Sequence, residues 1–228
     1  MTNLKCLASG STGNCYILNV DDLLVILDAG CDWIKMVGSV NLNDVDLAYI
    51  SHEHKDHSLN YEKLILRGVY CLDGINTQEI IKNQIKSKNG GLFQIFRIPI
   101  RHGNVKNCAL VIKNDNECIL YATDFNLCEY DLSVFKFTRI LIECNYLEKI
   151  VNVCDDKVRR ENNIDRHMGL EGVKIILDKL DLSKCQEIDL IHLSSTFSDS
   201  IIMGSTIYSR YKIKTGVCKQ FGGIEYYG

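Results

Sequence analysis

Residues 52–57 read His-Glu-His-Lys-Asp-His, which places three imidazoles and an aspartate within six positions. Histidine is scarce elsewhere, because the whole chain carries only six. Imidazole nitrogen beside carboxylate oxygen is the donor mixture that zinc, manganese and iron accept. The segment follows directly on the apolar run Asp46–Ser51, so a strand end would hold it more rigidly than a free loop could. A solvated loop has little use for so many donors at such short spacing.

Four further donors each follow an apolar run: Asp28 in Leu-Asp-Ala-Gly, His102 in Ile-Arg-His-Gly, Asp124 in Ala-Thr-Asp and His192 in Ile-His-Leu-Ser. Taken singly they are weak signals. An aspartate after a strand is commonly a turn residue or cap, and a lone histidine is more often on the surface than a ligand.

The elements that must position these residues are mostly strands in the first half. Short apolar runs bounded by turn residues indicate strands at Cys15–Val20, Leu23–Leu27 and Asp46–Ser51. Helical stretches are expected at about Tyr61–Arg67 and Thr77–Lys86. Strands return at Leu92–Ile100, Cys108–Lys113, Cys118–Thr123 and Arg139–Cys144. Leu170, Val173, Leu177 and Leu180 recur at helical spacing and mark an amphipathic helix. The run Ile188–Ile191 then delivers His192. Strand blocks separated by helical blocks suggest two packed sheets with helices outside, in which every suspected ligand falls at a strand end or just beyond.

The bulk properties set limits. A chain of 228 residues with 46% hydrophobic and 24% charged content is expected to form one domain, spanning 1–228, with a full core. No run approaches the roughly 18 apolar residues of a membrane span. Met1–Lys5 lacks a secretory pattern, so a cytoplasmic protein is expected. The eleven cysteines are irregularly spaced without a Cys-x-x-Cys pair, and read as reduced, mostly core residues. A formal charge of −3 gives no global field for holding an extended duplex.

The His-x-His-x-Asp-His string, with Asp28, His102, Asp124 and His192 in series, resembles the metallo-β-lactamase superfamily over nearly the whole chain. The resemblance implies an α/β (α+β) fold, a four-layer αββα sandwich of two mixed β-sheets flanked by helices. It implies that His52, His54 and His102 hold one divalent ion and Asp56, His57 and His192 a second, with Asp124 bridging and Asp28 supporting the loop. Zinc is the expected ion and manganese the alternative. Two such ions about 3.5–4 Å apart lower the pKa of a shared water and neutralise charge building on the scissile group.

Glu143, in Ile-Glu-Cys-Asn, and His167, in Arg-His-Met-Gly, narrow the class. Their order before His192 is similar to the phosphodiesterase branch that includes ribonuclease Z, where a Glu–His pair orients a proton donor. An alkoxide leaves poorly at neutral pH, so phosphate esters have more call for this pair than lactams do. The opening string Leu7–Cys15 resembles the YycJ-like group of nucleases, and its Gly-Ser-Thr-Gly-Asn turn puts Ser11 and Asn14 forward as substrate contacts. Arg166 with Lys157, Arg159 and Arg160 forms a basic stretch, and Ser194, Ser195 and Thr196 follow the last histidine; both are candidate phosphate contacts. The long arm with which ribonuclease Z grips transfer RNA has no counterpart in this sequence.

The function expected is therefore a dinuclear metal-dependent phosphodiesterase, a nuclease acting on single-stranded or end-accessible nucleic acid. The alternative is a phage-type cyclic-nucleotide phosphodiesterase, and a third reading is a metal-loaded binding module without turnover. A homodimer is the assembly that the resemblance implies.

Overall fold

The structure, a computed structural model, describes residues 2–75 and 79–228. Its first sheet contains β1 (Thr2–Ala8), β2 (Cys15–Val20), β3 (Leu23–Leu27), β4 (Leu47–Ile50) and β5 (Cys71–Asp73), paired in that order. The second contains β6 (Ile81–Lys86), β7 (Leu92–His102), β8 (Val105–Lys113), β9 (Cys118–Ala122), β10 (Arg139–Glu143), β11 (Glu187–Ile191), β12 (Lys214–Cys218) and β13 (Ile224–Tyr227), in the order β13 to β6. Both sheets are mixed. β3, β4 and β5 run parallel, as do β9, β10, β11 and β12, and the remaining pairs are antiparallel.

Seven helices accompany the sheets among the described residues: α1 (Trp33–Val37), α2 (Lys55–Ser58), α3 (Tyr61–Leu66), α4 (Glu148–Val151), α5 (Lys157–Arg166), α6 (Leu170–Leu177) and α7 (Ser200–Tyr211). Side chains sort into three cores by strand alternation. Leu47 and Tyr49 of β4 face Ile95, Leu110, Tyr121 and Leu141 between the sheets. Ala48 and Ile50 face outward onto Met36 and Leu64. On the far side, Leu120, Ile140 and Ile142 pack against Val173 and Leu177 of α6 and Met203 and Ile207 of α7. The layers are therefore αββα, as expected. Strands buried on both faces explain the unbroken apolar runs that made them legible in the sequence.

The stretch expected as a helix over Thr77–Lys86 differs. Asn76, Thr77 and Gln78 lie outside the described residues, and Ile81–Lys86 is strand β6. Ile81, Asn83 and Ile85 face inward in alternation with Lys82, Gln84 and Lys86, a period of two rather than 3.6. As the sheet's edge strand, β6 carries lysines, which discourage pairing with another chain. All eleven cysteines are free thiols, seven of them buried.

A buried arginine in the second sheet pairs with two carboxylates. Arg139, only 4% exposed, donates from Nε to Asp189 Oδ2 and from Nη2 to Glu187 Oε1, both at 2.7 Å. Burial pushes Asp189 up to about 6 even with the guanidinium beside it. Replacing Arg139 with methionine leaves the buried Asp189 without its cation, while Glu187 keeps Lys214 at 3.2 Å, and chemical denaturation should show a loss of about 3–5 kcal/mol.

Candidate metal centre

Parallel strand direction gathers the candidate ligands. β3, β4, β7, β9, β10 and β11 all end at one edge, where they deliver Asp28, His52, His102, Asp124, Glu143 and His192. Asp28, Asp124 and His192 adopt left-handed backbone conformations, with φ of 55°, 51° and 54°. Such torsions cost a β-carbon-bearing residue free energy and persist where surrounding structure imposes them. Here two of the three, Asp124 and His192, belong to the candidate ligand groups, and Asp28 bonds to the loop that carries other candidate ligands.

The ligand atoms of His52, His54, His102 and Asp124 lie within 4.8 Å of one another, and so do those of Asp56, His57, Asp124 and His192. Asp124 belongs to both groups and presents one oxygen to each. Its Oδ2 lies 3.8 Å from His52 Nε2 and 3.6 Å from His102 Nε2, while Oδ1 lies 3.4 Å from His57 Nε2. His57 Nε2 is 3.4 Å from Asp56 Oδ2, and His192 Nε2 is 3.7 Å from it. These separations are long for hydrogen bonds. They are close to the edges, about 3.3–3.6 Å, of a tetrahedron with metal–ligand bonds of 2.0–2.2 Å. Moreover, Nε2 of His52 and Nε2 of His192 are buried without any hydrogen-bond partner. A buried imidazole nitrogen left unpaired costs free energy unless something else meets its lone pair. The donor set thus suits divalent cations.

The charges tell the same story. Burial, followed by its imidazole neighbours, drives His52 down to about 2. His192 moves the other way, to about 10: burial opposes protonation, but Asp124, Asp56 and Glu143 outweigh it. Burial likewise opposes ionisation of Asp124, yet the surrounding imidazoles hold its carboxyl well below the usual range. Without a cation, protons serve as the counter-charge for clustered carboxylates.

Asp28 does not face the ligand groups; it holds them from behind. Its Oδ1 accepts from Ser51 N at 2.7 Å, and its Oδ2 from Ser51 Oγ at 2.9 Å, His57 Nδ1 at 2.5 Å and Tyr121 Oη at 2.5 Å. His57 Nδ1 is thereby occupied, which leaves Nε2 for the centre. Gly30, which the sequence reading passed over, has a packing role: a β-carbon there would overlap the Asp56 carbonyl. Its signal was the glycine of Leu-Asp-Ala-Gly.

Asn14 is fully buried and clamps the centre from the opposite side. Its Oδ1 accepts from Gly10 N at 2.8 Å, so its amide nitrogen faces His57 Nε2 at 2.9 Å and Asp56 Oδ2 at 3.4 Å. Its amide nitrogen therefore meets the donor atoms that face the centre, and the side chain is buried rather than exposed. Ser11 stands exposed in the same turn.

Glu143 and His167 join the edge as a third group with Asp124 and His192. Glu143 is fully buried, and its Oε1 accepts from His167 Nδ1 at 2.6 Å and lies 3.1 Å from His192 Nδ1. Its Oε2 accepts from Phe125 N and Met168 N. Burial opposes its ionisation, but the His167 imidazole outweighs that and keeps Glu143 below its ordinary range. The His167 ring stacks 5.2 Å from that of His192.

The basic stretch forms α5, which reaches over the edge without burying a residue. His102 Nδ1 donates to the Arg166 carbonyl at 2.8 Å, so Arg166 serves the centre through its backbone. Arg159 Nη2 donates to Thr196 Oγ1 at 2.7 Å, and its guanidinium lies over the Phe197 ring. Ser194 Oγ accepts from Thr196 N and Phe197 N and so shapes its own loop.

No family model matches the sequence, and no curated protein matches it. Solved structures do. The metallo-β-lactamase fold protein YhfI from Bacillus subtilis superposes with a TM-score of 0.70 at 15% identity, covering 99% of each chain. A diphosphatase of the PhnP family gives 0.62 at 11% identity, covering 100% of this chain and 98% of the other. The short form of human tRNase Z gives 0.60 at 11% identity, covering 86% and 93%. The chain therefore has the metallo-β-lactamase fold.

Two outcomes follow for metal uptake. His192 must shed its proton before Nε2 can be donated, so Zn2+ binding at pH 7 should release protons and tighten as pH rises toward 10, as calorimetry in buffers of different ionisation enthalpy would show. Asp28→Asn, which weakens the hold on His57 Nδ1, should lower Zn2+ affinity by about 10–100-fold, measured by competition with a chelator.

Proposed function

We propose that this protein is a metal-dependent phosphodiesterase and that its substrate is single-stranded or end-accessible nucleic acid. His52, His54 and His102 would hold one divalent cation, Asp56, His57 and His192 a second, and Asp124 would bridge them. Zinc suits a set dominated by imidazole, and manganese is the second choice. When bound, the cations would lower the pKa of water toward neutrality and offset charge on the phosphoryl oxygens.

The observation that carries this reading is the His167–Glu143 pair beside Asp124 and His192. Glu143 fixes the His167 ring through Nδ1, which leaves Nε2 to exchange protons, and the side chain is 17% exposed. His167 passes its Nε2 proton to the departing oxygen, and Glu143 neutralises the imidazolium before that transfer. The ring then recovers a proton from solvent. An activated ester makes less demand on such a donor than a sugar alkoxide does.

The test compares leaving groups. Wild-type protein should cleave both a labelled single strand and bis-p-nitrophenyl phosphate, and Asp56→Ala should abolish both activities. His167→Ala should slow strand cleavage by about 10²–10⁴-fold. It should affect bis-p-nitrophenyl phosphate far less, because nitrophenolate departs without a proton. Equal losses on both substrates would remove His167 from the donor role. Consumption of cyclic mononucleotides alone would overturn the nuclease reading.

A further inference from the structure

A cleft of about 450 Å³ opens beside the candidate centre, at the carboxyl ends of β11 and β12. Its walls include Leu193 and Ser195 of the loop after β11, Ile201 in the first turn of α7, and Gln220 after β12. Ser9 lines it too, and Ser9 Oγ accepts the backbone N–H of His192 at 2.9 Å. One residue thus borders both the cleft and a candidate ligand. Crevices outside the carboxyl ends of parallel strands are where open α/β sheets commonly bind ligands.

The lining has little charge to spare. Lys219 is paired with Glu225 at 3.0 Å, and Asp199 caps α7 by accepting from Ile202 N at 3.0 Å. The hydroxyl groups of Ser195 and Ser200 line the cleft, as does Gln220, whose Nε2 donates to Thr12 Oγ1 at 3.1 Å and whose side-chain oxygen can accept, with the apolar faces of Leu193, Ile201 and Val217. An anion would find no unpaired cation there. A neutral group with a flat apolar face and hydrogen-bonding edges fits this chemistry, and the volume exceeds that of one such group.

We propose that this cleft binds the nucleoside attached to the scissile phosphate. The base would lie against Leu193 and Ile201, with its edge toward Gln220 and the serines. The proposal rests on the phosphodiesterase reading and names the part of the substrate that sits beside the phosphate. It also assigns the neighbouring surface a role in selecting nucleotidyl esters over simple phosphodiesters.

Two esters with the same leaving group test it: thymidine 5′-monophosphate p-nitrophenyl ester and methyl p-nitrophenyl phosphate. Wild type should favour the nucleotidyl ester at least tenfold in kcat/KM, and Ile201→Trp, which fills the cleft from an exposed position, should reduce that ratio at least tenfold. An unchanged ratio in the variant, or no preference in the wild type, would overturn the proposal. If neither ester is cleaved, the phosphodiesterase reading fails by itself, and calorimetry with zinc-loaded protein still decides the cleft. Thymidine 5′-monophosphate should then bind at least tenfold tighter than ribose 5-phosphate, and Ile201→Trp should abolish the difference; equal binding would sink the cleft assignment.

Discussion

The Asp28 carboxylate is the interaction on which the candidate centre depends. Fully buried, it receives Ser51 from the end of β4, His57 from α2 and the Tyr121 hydroxyl from β9. It therefore ties the first sheet, the histidine segment and the second sheet at one point. Tyr121 packs edge-on to Tyr16 and Tyr49 in the core between the sheets, and Tyr16 donates in turn to Ser9 and Asn14. The inter-sheet core ends in hydroxyl groups that hold the donor loops. Packing and site geometry are one structure here, because displacing a tyrosine ring would move a hydrogen bond that aims a ligand.

Around that anchor the chain gathers like charges and unpaired lone pairs that a purely structural core would avoid. Asp56, Asp124 and Glu143 share a small volume with six imidazoles, and two buried Nε2 atoms lack partners. Left-handed backbone at Asp28, Asp124 and His192 adds local strain. Each feature costs stability. They converge on the same few ångströms, which is the pattern of a site that spends folding free energy on preorganised donors.

Much of this was legible in the chain itself. The His-x-His-x-Asp-His string, the apolar strands that precede Asp28, His52, Asp124 and His192, and the αββα layering could be read because doubly buried strands and clustered donors leave dense local signals. Less legible were elements without such signals. Helix α5 buries no side chain and so shows no apolar stripe, and edge strand β6 has a short alternating pattern that a helix expectation overrode. Gly30 and Asn14 matter through contacts with residues 56 and 57, far along the chain.

The sequence by itself determined which residue types were available for cation binding and acid–base chemistry, and that strands would carry them. Only the tertiary structure decided that Asp124 presents an oxygen to each donor group, that Glu143 reaches both His167 and His192, and that Arg166 acts through its carbonyl. The physical reason is range. Residue type and periodicity are local properties of a chain, whereas donor separations near 3.5 Å arise from the direction of parallel strands and the packing of two sheets.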